Sequence, residues 1–227
     1  VTAGTQPITG MPRLFPDPAT SKFIVVFGTG KYLGPQDGSD VTTQSVYGIR
    51  DIGSTVTRSQ LVAQTLREAT ADDGKITARG LTDHAVPSNK HGWYFDLGPS
   101  TSSIGERVIV TPTALFDSGR VVIQTLIPGS DPCSGGVGGA LMVVNAATGG
   151  SGGGLSSLSV SAWTGSGTAA VGGRVDNPRT ASGTMPVVSA VGGGSLLVPG
   201  LKLSGSDSVL SIDDAIWRRR SWRRITP

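Results

Sequence analysis

Phe23-Ile24-Val25-Val26-Phe27 is an unbroken run of β-branched and aromatic residues that ends abruptly in Gly28-Thr29-Gly30. Stiff side chains in so short a run disfavour a helix, and the glycines that follow close a tight turn, so the stretch predicts a central, buried strand. A polar loop carrying Gly34, Pro35, Asp37, Gly38 and Asp40 leads to a second strand over residues 45–51. Strand, polar loop, strand is the pattern of an antiparallel sheet. It recurs at 76–81 after an Asp72-Asp73-Gly74 turn, at 92–97, 106–110, 121–127 and 141–145, with Asp117-Ser118-Gly119-Arg120 reading as a hairpin turn. With 34 glycines, 14 prolines and a charged fraction of 15%, the chain has the turn-rich composition of an all-β protein, and helix is expected to be scarce. Phe27 and Tyr47 are expected in the core.

Other segments follow from local chemistry. Gln6-Pro7-Ile8-Thr9 reads as an edge strand entering a sheet, because proline is tolerated there. Residues 55–70 suit either a helix or a strand, and are taken as a strand. Strand alternation in Gly92-Trp93-Tyr94-Phe95-Asp96-Leu97 puts two rings on one face and one on the other, a packing rib rather than a sugar-stacking platform. Residues 149–206 turn to glycine and serine, and predict weakly specified strands with long glycine turns. Within them, 149–173 is expected to be the least protected part of the chain, since glycine loses most conformational entropy on ordering.

Few residues carry catalytic or metal-binding signatures. Gly30-Lys31 is followed by Tyr32 rather than the hydroxyl residue of a phosphate loop, and Gly28, Gly30 and Gly34 miss the dinucleotide spacing. Gly149-Gly150-Ser151-Gly152-Gly153 matches a nucleophile elbow in letters only, because no helix follows it. His84 and His91, the two histidines, read as solvated loop residues, so neither a hydrolase nor a zinc site is expected. Asp37 and Asp40 offer two oxygens where calcium needs six or more, and read as turn residues. No catalytic, cofactor-binding or metal-binding residue is assigned, and no RGD triplet is present.

The formal charge of +3 is misleading. Arg218, Arg219, Arg220, Arg223 and Arg224 are five of the 19 basic residues, which leaves 14 against 16 acidic ones in the body. A nucleic-acid-binding body is therefore not expected, although the arginine tail keeps that reading as an alternative. Cys133 is the single cysteine, either free or paired outside these residues. No apolar run is long enough to span a membrane. Val1 begins without an initiator Met or signal peptide, so the chain is expected to be an internal fragment or a processed product.

The order of several motifs carries a resemblance. FGTGKYL, the acidic loop, QSVYGIRD, GWYFDL, GER at residues 105–107, a strand ending in Pro128 and DPCSGG at 131–136 together resemble the C-terminal β-propeller of the type IV pilus tip adhesin PilY1 family. QPIT before GTGKYL and WRRRSWRRI at 217–225 add to it. The similarity is good over about residues 6–148 and 200–225 and poor between. It implies that residues 1–227 are the C-terminal portion of such a domain, built of antiparallel blades of a partial β-propeller with long Gly-rich loops. It also implies a non-enzymatic role in pilus assembly, twitching motility and surface adhesion, and export through the periplasm to the pilus tip at the cell surface. Implied partners are minor pilins, the remainder of the propeller, and a host or abiotic surface. The family's calcium loop of alternating Asp and Asn does not occur in this sequence, and is expected upstream of Val1. Export further favours a partner for Cys133 outside the chain. The alternative is a secreted carbohydrate-binding or hydrolytic β-domain, which requires an exposed aromatic strip or paired carboxylates in a cleft.

Overall fold

The structure, a computed structural model, describes residues 6–74, 77–98, 104–115, 118–128, 138–155 and 158–175, together with the backbone of three strands between 189 and 211. The described secondary structure is strand plus short 3-10 turns, so the chain is all-β, as its sequence predicts. In chain order the strands are β1 (Arg13–Pro16), β2 (Phe23–Gly28), β3 (Ser45–Arg50), β4 (Val62–Ala63), β5 (Leu66–Thr70), β6 (Thr77–Thr82) and β7 (Gly92–Asp96). They continue as β8 (Thr113–Leu115), β9 (Arg120–Gln124), β10 (Gly139–Asn145), β11 (Thr168–Val175), β12 (Ser189–Val191), β13 (Ser195–Leu203) and β14 (Ser206–Ser211).

Two main sheets result. The first runs β1-β2-β3-β7-β4 and is antiparallel except for the β4–β7 pair. The second runs β5-β6-β11-β10-β9-β8, with every pair antiparallel, and β12-β13-β14 form a small third sheet. Strand order and chain order differ. After β4 the chain leaves the first sheet to form the β5–β6 hairpin in the second, then returns as β7, so the two sheets are interleaved.

Alternation decides the core. Ile24 and Val26 of β2, Val46 of β3, and Trp93 and Phe95 of β7 face inward, where they meet Leu81, Ile123, Met142, Val144 and Val171 of the second sheet. Trp93 and Phe95 stack 6.1 Å apart, while Tyr94 points to the other face beside Tyr47, which is the division of rings expected from the sequence. Trp93 is fully buried, and its indole N–H donates to the Ala146 carbonyl at 2.9 Å, tying the first sheet to the turn after β10. On the outer face Phe27 and Tyr47 stack at 5.5 Å, both buried, as expected.

Several boundaries differ from expectation, each for a physical reason. Gln6–Thr9 is extended but not a strand: the Pro7 carbonyl accepts from Gly30 N–H, and the edge strand forms later at β1. Residues 55–70 break into a 3-10 turn at Arg58–Gln60, then β4, then β5, because β4 pairs with the first sheet and β5 with the second. Residues 106–110 form only a single bridge, Arg107 with Leu126, since Val108 N–H turns instead to the Thr29 carbonyl of the other sheet. The hairpin at Ser118-Gly119 therefore joins β8, not 106–110, to β9; Asp117 and Ile76 lie outside the described residues.

The largest correction concerns the glycine-rich region. Thr168–Val175 is a strand, as expected of this region, but an interior one of the second sheet, held between β6 and β10 with Val171 fully buried, which does not fit the low protection expected of 149–173. Its glycines serve close packing: a Cβ on Gly172 would collide with the Leu141 carbonyl oxygen, so only hydrogen fits against β10. Leu155, Leu158 and Trp163, from the loop between β10 and β11, cover the second sheet's outer face.

Two arginines are buried within this scaffold. Arg79 of β6 is fully inaccessible and lies between Glu68 of β5 and Glu106, with contacts of 2.6 Å to each carboxylate. Desolvation pulls its pKa down, but the charges and hydrogen bonds of Glu106 and Glu68 outweigh that and raise it. The second, Arg107, organises the candidate site.

Candidate interaction site

Residues 29–44 connect β2 to β3 and form a loop that projects from the end of the first sheet. Gly30 opens it with φ of +131°, and a Cβ there would collide with that of Arg107, so glycine is required twice over. Pro35–Gly38 makes a 3-10 turn. Asp37 Oδ2 accepts from the N–H groups of Leu33 at 2.8 Å and Gly34 at 3.0 Å, and Lys31 Nζ lies 3.2 Å from Oδ1. Those two backbone donors, with Lys31 adding to them, hold the Asp37 carboxyl below its ordinary 3.8 against the opposing effect of burial. Asp40 Oδ1 accepts from Thr42 N–H at 2.9 Å.

Arg107 fastens this loop from beneath. It is 2% exposed, and four hydrogen bonds from its guanidinium reach backbone carbonyls. Nε donates to Gly105 at 2.8 Å, Nη1 to Lys31 at 2.8 Å and Asp37 at 2.7 Å, and Nη2 to Asp40 at 2.5 Å. A planar fork suits this work, since it satisfies several fixed carbonyls at once. Above the fork the loop exposes Tyr32 (42%), Leu33 (83%) and Val41 (56%), apolar side chains held outward by a backbone that is tied down at both ends.

A second polar cluster lies beside it on the outer face of the first sheet. Arg58 Nη2 meets both Asp96 oxygens at 2.5 and 2.6 Å, its Nη1 donates to Tyr47 Oη at 3.1 Å, and its guanidinium lies 3.9 Å over the Tyr94 ring centre. Tyr47 Oη donates to Gln6 Oε1 at 2.7 Å, and Ser45 Oγ donates to Asp96 Oδ1 at 2.6 Å. Desolvation lowers the Arg58 pKa, but the hydrogen bonds to Asp96 and Tyr94 prevail and raise it. These contacts bear on sugar binding. Trp93 and Phe95 are buried and Tyr94 is capped by Arg58, so the 92–97 strand offers no open aromatic strip.

The other sequence candidates occupy structural positions. Asp37 and Asp40 each close their own turn, and among the described residues no three or more His, Cys, Asp or Glu side chains gather as metal ligands would. His84 Nδ1 lies 3.1 Å from the Ala63 carbonyl, and His91 links Gln60 to Arg50 through its backbone. Ser151 is buried in the turn after β10, where its carbonyl accepts from Gly154 N–H. Cys133, residues 131–136 and the Trp217–Ile225 tail lie outside the described residues. No helix among the described residues is long and apolar enough to cross a membrane. The GER triplet does not disclose in sequence what its arginine does. The available signal is a charged residue next to an apolar run, in both Glu106-Arg107-Val108-Ile109-Val110 and Ala78-Arg79-Gly80-Leu81.

The fold is shared with a β-domain of known structure. The crystal structure of the Pseudomonas aeruginosa PilY1 C-terminal domain superposes with a TM-score of 0.68 over 92% of this chain and 46% of that one, at 24% identity. Sequence similarity points the same way. A type IV pilus biogenesis factor PilY1 homolog of Xylella fastidiosa (strain Temecula1) is 37% identical over 152 residues, 64% of this chain and 10% of that protein. The type IV pilus biogenesis factor PilY1 of Pseudomonas aeruginosa (strain UCBPP-PA14) is 32% identical over 161 residues, 58% of this chain and 14% of that protein. The chain is thus similar to the C-terminal region of PilY1, as the ordered motifs imply, and spans about a tenth of the length of the curated relatives it matches. No protein-family model matches it.

Proposed function

We propose that this chain is the C-terminal part of a type IV pilus biogenesis factor of the PilY1 kind, and that it acts as a binding and assembly element rather than as an enzyme. In this reading its sheets are part of a β-propeller, exported through the periplasm and carried at the pilus tip, where it engages minor pilins and a host or abiotic surface. The similarity to PilY1 proteins carries the proposal. Its geometry supports the proposal at residue level. Binding proteins present contacts on loops fixed to a rigid scaffold, and the Arg107-fastened loop is such a device, with Tyr32 and Leu33 as its contact residues. The test is to delete the gene and complement it with wild type, Leu33→Asp and Arg107→Met. Wild type restores pili, twitching and attachment. Leu33→Asp restores pili but reduces attachment at least about tenfold, as loss of a contact residue does. A deletion strain with normal pili and twitching would contradict the proposal.

A further inference from the structure

Between β11 and the loop that precedes it lies a cavity of about 360 Å³, within the range of small-ligand sites. Leu155, Leu158, Val160 and Trp163 form an apolar wall, and β11 from Thr168 to Ala170 faces the same space. These walls are set by the protein's own hydrogen bonds. Ser166 donates to the Trp163 carbonyl from its N–H at 2.9 Å and from its Oγ at 2.6 Å, and Leu155 N–H donates to the Ala170 carbonyl at 2.8 Å. Arg120 Nη2 donates to the Gly152 carbonyl at 2.8 Å and so fixes the neighbouring turn. Gly153, Gly165 and Gly167 also line the cavity, and bring main-chain amide groups to it with no side chain of their own in between.

One polar group of this lining is unmatched. Thr168 is 8% exposed, and its Oγ1 is buried with no hydrogen-bond partner among the described residues. Native structures seldom leave a buried hydroxyl so, because the group has lost its water and gained nothing in exchange. The methyl of the same side chain packs against Gly80, beside the Trp163 ring.

We propose that this cavity is a subsite for a neutral sugar ring, with Thr168 Oγ1 as the partner of one ligand hydroxyl. Charge narrows the class: the lining contains no ionisable side chain, so a phosphate, a carboxylate or an amine finds no counter-charge there. A wholly apolar ligand would leave the Thr168 hydroxyl as it is. A pyranose carries hydroxyls around its edge and C–H groups on its faces, which suits an apolar wall set against main-chain amides and a hydroxyl. Sugar recognition is thereby placed away from the 92–97 strand, whose rings are buried or capped. The inference rests on the cavity itself and is independent of the proposed pilus function.

The test is saturation-transfer NMR on the full protein with glucose, galactose, mannose, N-acetylglucosamine and N-acetylgalactosamine, and with glucosamine and glucuronate as charged controls. At least one neutral sugar is expected to receive saturation, and neither charged one. Thr168→Val keeps the shape of the side chain and removes its hydroxyl, so binding is expected to weaken at least about fivefold while Tm is held or raised. Val160→Trp, which fills the cavity from its apolar wall, is expected to abolish the transfer. No transfer to any neutral sugar, equal transfer to the charged ones, or undiminished binding by Thr168→Val overturns the proposal. A fall in Tm for Thr168→Val overturns it as well, since the hydroxyl then serves the fold and not a ligand.

Discussion

Arg79 and Arg107 are both buried arginines with several polar contacts each, yet they do opposite kinds of work. Arg79 is matched by the carboxylates of Glu68 and Glu106, with Arg174 Nη1 a further 3.8 Å from Glu68 Oε2, so two cations face two anions and the cluster fastens β5 and β6 to the 104–108 segment. Arg107 is matched by the carbonyls of Gly105, Lys31, Asp37 and Asp40, so its partners are backbone and its effect is to set the path of a loop. Carboxylate partners make an arginine part of the sheet scaffold. Carbonyl partners make it the template for a shape. The first kind of site is felt throughout the fold, the second mainly in the loop it holds.

The difference is open to direct challenge, with the largest effect at Arg79. Arg79→Met leaves the fully buried Glu106 without its cation and Glu68 with only the more distant Arg174, and is expected to lower stability by about 3–5 kcal/mol in denaturant melts. Replacing Arg79, Glu68 and Glu106 together by apolar residues should recover most of that loss, since no unpaired carboxylate stays buried and Arg174, 26% exposed, can turn to solvent. If the single and triple variants are equally unstable, packing rather than charge is what matters there. Arg107→Met comes next, at about 2 kcal/mol, because the freed carbonyls of Lys31 and Asp40 are only partly buried and can be rehydrated, while those of Gly105 and Asp37 are buried but neutral. A loss as large as that of Arg79→Met would erase the distinction.

Acid provides a smaller and reversible probe of the loop alone. Asp37 has a depressed pKa in the folded chain, so its contribution is fully present above 3.8 and is lost as pH falls through the lower folded value. Amide exchange at Leu33 and Gly34, its two donors, should rise in that window and be unchanged above about pH 5. Asp37→Asn should remove the pH dependence. The smallest effect is expected for Leu33→Ser, below about 0.5 kcal/mol, because the side chain is already in solvent.

Strands are written more plainly in this sequence than the site is. The runs at 23–27 and 92–96 alternate so regularly that the inward and outward placement of Trp93, Tyr94 and Phe95 follows from the pleat alone. Strand exchange between the sheets does not. Residues 55–70 look like one element because nothing local marks the point between Ala63 and Leu66 where hydrogen bonding passes from one sheet to the other. Thr168–Val175 is obscured for a related reason. Glycine reads as slack by propensity, whereas Gly172 is needed for contact with β10, a property of its neighbour and not of its own segment. The Arg107 site is the least legible feature. Its loop partners lie 67 to 76 residues away in the chain and are main-chain carbonyls, which every residue type supplies, so no pattern of side chains announces them.

The central claim is that Arg107 shapes the 30–41 loop without being needed for the sheets themselves. Hydrogen–deuterium exchange of wild type and Arg107→Met, measured where both remain folded, tests this most directly. The account predicts that amides of residues 31–40 lose protection in the variant, by about tenfold or more for a loop released from its anchor, while those of β2, β3 and β7 stay within about twofold of wild type. Unchanged exchange in the loop, or an equal loss across the three strands, would contradict it.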